Sequence, residues 1–209
     1  MSSKFAQELE QAVALYTWLR DSEKNDLHLK NDSRHRAAGV CFDVAREHHL
    51  AILQLLDRTP SLHVSAVALV RPLFDAYVRG MWLWQCASDE QLEKYLQKSK
   101  LPDMRSLIKA VEGASDMADE GSGLRMIYEE SWPILSGFTH AGAEFVHRYS
   151  VGPTLEPDFS EEELCRAVRF VSRIGLVTAV SMAHIAGDLG RASELLDEGV
   201  KRLPQSMTP

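Results

Sequence analysis

Two stretches of this chain place polar side chains at spacings that could do chemistry. Arg71, Asp75 and Arg79 recur at every fourth residue, so on a helix they form one stripe in which the Asp75 carboxylate can pair with a guanidinium on either side. Ser136, His140, Glu144 and His147 follow one another as Ser-x3-His-x3-Glu-x2-His. On a helix they share one face, while Ile134, Phe138, Ala141 and Phe145 share the opposite one. If the first stripe faces inward it must be a fully satisfied polar network; if it faces water it is a solvated row of salt bridges with little energetic weight.

The second stretch supports three readings. His140 with Glu144 to orient it has the form of a general base. His140, Glu144 and His147 could also meet one divalent metal, but Glu-x2-His is half of the di-iron signature of helical bundles, and no second copy occurs in the chain. The plain reading is the wet side of an amphipathic helix whose Phe138 and Phe145 face the core. No Gly-rich phosphate loop, nucleophile elbow or thiol pair is present, and no cofactor is expected.

Other polar clusters are weaker. Adjacent residues on a helix point about 100° apart, so Glu47, His48 and His49 cannot act as a chelating pair and are expected as surface or snorkelling groups. Trp18, Trp82, Trp84 and Trp132 are expected as core or interface anchors, since no basic ladder interleaves them.

These groups need helices to hold them, and helical periodicity accounts for nearly the whole chain. A first helix is expected from about Ser3 to Ser22, and a second from Asp32 or Ser33, either of which can cap it, to about Asp57. Ser61 is expected to cap a third, running to about Cys86 with Pro72 as an internal kink point. Ser88 with Gln91 reads as a capping box for a short polar helix, and Pro102 with Asp103 opens another that ends near Gly113. A further helix is expected from about Leu124 to His147, with Pro133 as a break. Ser160 with Glu163 is a second capping box, opening a long helix to about Gly187. A C-terminal helix or extension follows from Gly190 to Leu203, with residues 204–209 as a frayed tail. The fold class is therefore all-α: a bundle of four to five long helices with short peripheral ones, in a single domain over residues 1–209.

Composition narrows the function classes. The 209 residues are 45% hydrophobic and 25% charged, enough for one core that buries roughly 70% of the unfolded surface. A net charge of −7 argues against a broad grip on nucleic acid, which needs clustered Lys and Arg, while leaving room for a small basic site. The most apolar stretch, Ile174 to Gly187, carries Thr178, Ser181 and His184 and falls short of the roughly 20 residues a bilayer requires. Cys41, Cys86 and Cys165 are odd in number and far apart, which suggests no disulfide framework and a reducing, cytoplasmic setting.

Ala66 to Trp84, followed by Leu135-Ser-Gly-Phe-Thr-His140, resembles bacterial helical domain families of unknown function in which Arg-x3-acid on one helix and Ser-x3-His on another recur together. That resemblance implies that Arg71, Asp75, Ser136 and His140 matter together, without naming a reaction. A more distant similarity is to the helical HEPN nucleases, which carry Arg and His a few residues apart at the start of a helix; Arg58 and His63 have that spacing, with Pro60 between them. The expectation is a homodimeric module whose Arg71, Asp75, Ser136 and His140 line a cleft for a small ligand or hold the bundle in register. The alternative is an enzyme, either a metal-independent ribonuclease using Arg58 and His63 or a hydrolase using His140 and Glu144.

Overall fold

The computed structural model describes residues 3–22, 28–97, 102–114, 124–126, 128, 129, 146, 149 and 157–205. Among them there are seven helices and no strand: α1 (Lys4–Ser22), α2 (Ser33–Asp57), α3 (His63–Gln85), α4 (Asp89–Leu96), α5 (Met104–Ala114), α6 (Glu161–Ile185) and α7 (Leu189–Arg202). Residues 124–126, 128, 129, 146 and 149 are also helical. The rest of the helix expected from Leu124 to His147, Pro133 included, lies outside the described residues.

Local chemistry explains most of the starts. The Asp32 side chain accepts from the His35 backbone N–H at 2.9 Å and caps α2. Ser88 with Gln91 and Ser160 with Glu163 close full capping boxes on α4 and α6, each satisfying two backbone donors that the helix would otherwise leave orphaned. Ser61 does not cap α3. Its hydroxyl donates to the Leu56 and Arg58 carbonyls, closing the end of α2, and α3 begins at His63 behind Leu62 with no side-chain cap. Pro72 stands inside α3, which runs through it.

The helix α6 is the axis of the bundle, packing against α1, α2, α3 and α7, while α2 and α3 form a tightly packed hairpin and α5 lies on α3. By length and composition α6 could cross a membrane, but 67% of its apolar window is buried by its neighbours, as a central helix demands. Two apolar clusters follow. The larger joins α1 through α6 around Phe42, Phe74, Leu83, Leu107 and Val168. The smaller joins Leu15 and Leu19 of α1, Leu176, Val180 and Ala183 of α6, and Ala192 and Leu195 of α7.

One ion pair is part of that packing. Glu8, 2% exposed, accepts from Arg169 Nη1 at 3.0 Å, and Arg169 Nη2 reaches Glu162 at 2.7 Å, with Lys4 on the same carboxylate at 3.3 Å. The Phe5 backbone N–H donates to Glu161 at 3.0 Å. These contacts fix the start of α1 to the first three turns of α6.

Candidate functional site

On α3 the i, i+4 spacing is realised: Arg79 Nε donates to Asp75 Oδ1 at 2.6 Å, and both side chains are partly exposed. Arg71 lies half-buried one turn earlier. The stripe is thus neither a closed interior network nor a fully solvated row. Two side chains from other helices join it. Cys41 of α2 lies 3.6 Å from the hydroxyl of Tyr95 on α4, and both groups feel the charges of Arg79 and Asp75. Burial pushes the Cys41 thiol up and, with Cys41 as its neighbour, the Tyr95 phenol to about 12. At neutral pH the thiol therefore stays protonated and is a poor nucleophile, so what this cluster offers is hydrogen bonding and charge.

Ser136 and His140, the other half of the expected quartet with Arg71 and Asp75, lie outside the described residues, as do Glu144 and His147. Among the described residues no group of three His, Cys, Asp or Glu side chains could hold a metal. Arg58 is exposed in the turn after α2. His63, the first residue of α3, stands half-buried between the edges of Phe5 and Phe159, with ring centroids 6.1 and 6.0 Å away, and burial lowers its pKa. Among the described residues no hydrogen bond or ion pair joins Arg58 to His63.

The expectation that His49 sits at the surface is overturned. It is 1% exposed, on the α2 face that also carries Phe42, Ala45, Ile52, Leu53 and Leu56. Its ring meets Tyr16 edge-on at 5.4 Å and rests on α6 at Gly175, where a Cβ would come within 2.1 Å of Nδ1. Only glycine permits that approach. Burial drives the His49 pKa down to about 4, keeping the imidazole neutral, and its Nε2 has no hydrogen-bond partner among the described residues. Beside the ring is a cavity of about 20 Å³ bounded by Tyr16, Arg46, Thr178 and Met182, room for roughly one water.

On the other side of Met182 an open groove of about 420 Å³ runs between the first turns of α2, the loop before it and the end of α6. Leu29, Gly39, Val40 and Met182 supply its apolar lining, and Lys30, Asn31, Arg36 and Asp43 its polar groups. Leu29 lies over Gly39, its Cδ1 only 2.5 Å from where a Cβ would stand, so the bare backbone of α2 forms part of the lining. Its volume and its combination of apolar wall and a few polar groups fall within the range of small-molecule sites, and the groove stays open to solvent along its length. Neither the groove nor the His49 cavity is visible in the chemistry-bearing spacings of the sequence, because Met182 reaches both from α6, far along the chain from α2.

No curated protein and no solved structure matches the chain. A family profile does match it over residues 42–201, from the middle of α2 to the end of α7, which covers α3 with its Asp75–Arg79 pair and all of α6. The chain therefore belongs to the DUF6988 family, a family of unknown function.

Proposed function

We propose that this protein is a noncatalytic, cytoplasmic helical module that binds a small molecule in the groove between α2 and α6. The observation that carries the reading is the groove itself: about 420 Å³, walled by Leu29, Val40 and Met182 and edged by Lys30, Asn31, Arg36 and Asp43. The Asp75–Arg79 pair with Tyr95 and Cys41 then has the second role expected for the polar stripe, setting the register of α2, α3 and α4. The three thiols are unbridged, which suits a reducing compartment. Val40 is 63% exposed, so Val40→Trp fills the groove without disturbing the core. A small-molecule fragment library followed by ligand-detected NMR should give binders to the wild type whose signals vanish with Val40→Trp. The absence of binders, or binders indifferent to that substitution, removes the proposal.

A homodimer belongs to the same reading. Leu189, Leu196 and Val200 are exposed and recur at helical spacing on one side of α7, so its apolar arc is wider than its contact with α6 and α1 covers. Sedimentation equilibrium that returns a monomer at micromolar concentration rejects it. The alternative of a HEPN-like ribonuclease rests on the resemblance and the Arg58–His63 spacing, and among the described residues no hydrogen bond or ion pair joins the two; that of a hydrolase rests on His140 and Glu144, which lie outside the described residues.

A further inference from the structure

We infer that the ligand of the α2–α6 groove is a small carboxylate with a short apolar body, an inference that rests on reading the groove as a ligand site. The chain carries a net charge of −7, yet the ionic groups at the groove are Lys30, Arg36 and Asp43, and Asp43 is already paired with Arg46. Lys30 has no ion pair among the described residues, and Arg36 makes only a 3.4 Å contact from Nη1 to the Asn31 side chain. Among the described residues, one guanidinium fork and one ammonium are therefore presented without a carboxylate to neutralise them.

A planar carboxylate matches the fork with two parallel N–H···O bonds, and these charge-assisted bonds are about twice as strong as neutral ones. The Arg36 fork engages both oxygens of one carboxylate, and Lys30 adds a second favourable charge at the groove. Behind them the wall is apolar, with Val40 exposed, Leu29 laid across the backbone of α2 and Met182 at the inner end. Met is the side chain best able to adjust to the shape of an aliphatic chain. A head that is anionic and a body of a few methylenes satisfy both halves of the groove at once.

Isothermal titration of the full chain with three probes of equal length, hexanoate, hexanamide and hexylamine, tests the class. Hexanoate should bind, the amide and the amine at least about tenfold more weakly, and Arg36→Glu combined with Lys30→Glu should weaken hexanoate by at least about tenfold while leaving the thermal transition of the protein in place. Both side chains are exposed, so folding is not at stake. If the amide or amine binds as well as hexanoate, or the double variant binds it undiminished, the carboxylate inference is overturned while the groove remains a ligand site. If none of the three binds and the fragment screen is also empty, the groove reading falls with it.

Discussion

Replacing Gly175 by Ala puts one methyl group into the tightest contact of the bundle. The added Cβ would stand 2.1 Å from His49 Nδ1, 2.2 Å from Cε1 and 3.0 Å from Cγ, so the ring or helix α6 must move by more than 1 Å to restore van der Waals separation of about 3.5 Å. The ring has little room to retreat, being 1% exposed with Tyr16 edge-on at 5.4 Å. Overpacking of this kind costs roughly 1–3 kcal/mol, and so severe a clash belongs at the top of that range. Against it, alanine gains about 1 kcal/mol over glycine in a helix interior. The net is a loss of about 2 kcal/mol, or a fall in Tm of roughly 4–8 °C for a chain of this size. Urea and thermal denaturation measure it, and the double variant with His49→Ala identifies the cause. His49→Ala alone should cost about 2–5 kcal/mol as a large-to-small core change, but much less in the Gly175→Ala background, where the methyl partly fills the space. A Gly175→Ala protein as stable as the wild type, or strictly additive effects of the two changes, would refute the packing described here.

Other consequences follow from the same interface. The unfolded chain protonates His49 near pH 6.5 and the folded chain only near 4; stability is therefore full above pH 6.5 and declines as pH falls to 4, by about 3 kcal/mol over that span. His49→Gln should remove most of the slope in urea titrations across this window, leaving the smaller part due to His48 and His63, which partial burial also depresses; an unchanged slope would show that His49 is not the buried group. Arg169→Ala leaves Glu8 buried without its cation and should cost about 3–5 kcal/mol, whereas Lys4→Ala, on the exposed arm of the same cluster, should stay within about 0.5 kcal/mol; similar losses for both would mean that Glu8 is solvated. The Asp75–Arg79 pair, partly exposed, should show a coupling of no more than about 1 kcal/mol in a double-mutant cycle, and a much larger value would indicate a closed network.

What the sequence reveals, and what it hides, divides along the range of the interactions. Asp32, Ser88 and Ser160 bond backbone groups three residues away, so their caps are legible from local spacing. Ser61 has the same side chain but finds the carbonyls of Leu56 and Arg58 within reach, and a choice between two nearby helices is not written in a cap motif. The Asp75–Arg79 pair is legible because both residues lie on one helix. Cys41 and Tyr95, 54 positions apart, join it only through the packing of α2 against α3 and the placement of α4. His49 was within reach of the sequence after all. It falls at helical intervals from Phe42, Ala45, Ile52, Leu53 and Leu56, and reading it as one of three adjacent polar residues concealed its place on the apolar face. The family resemblance reached the unknown-function class through motifs whose second half, Ser136 and His140, lies outside the described residues.

The claim on which the account turns is that the groove between α2 and α6 is where this protein meets its ligand. An amide-resolved NMR titration with hexanoate addresses it directly. Saturable shifts are expected to cluster on Asn31, Arg36, Gly39, Val40, Asp43 and Met182. Shifts centred instead on Arg71, Asp75 and Arg79, or no saturable shifts with hexanoate together with an empty fragment screen, would contradict it.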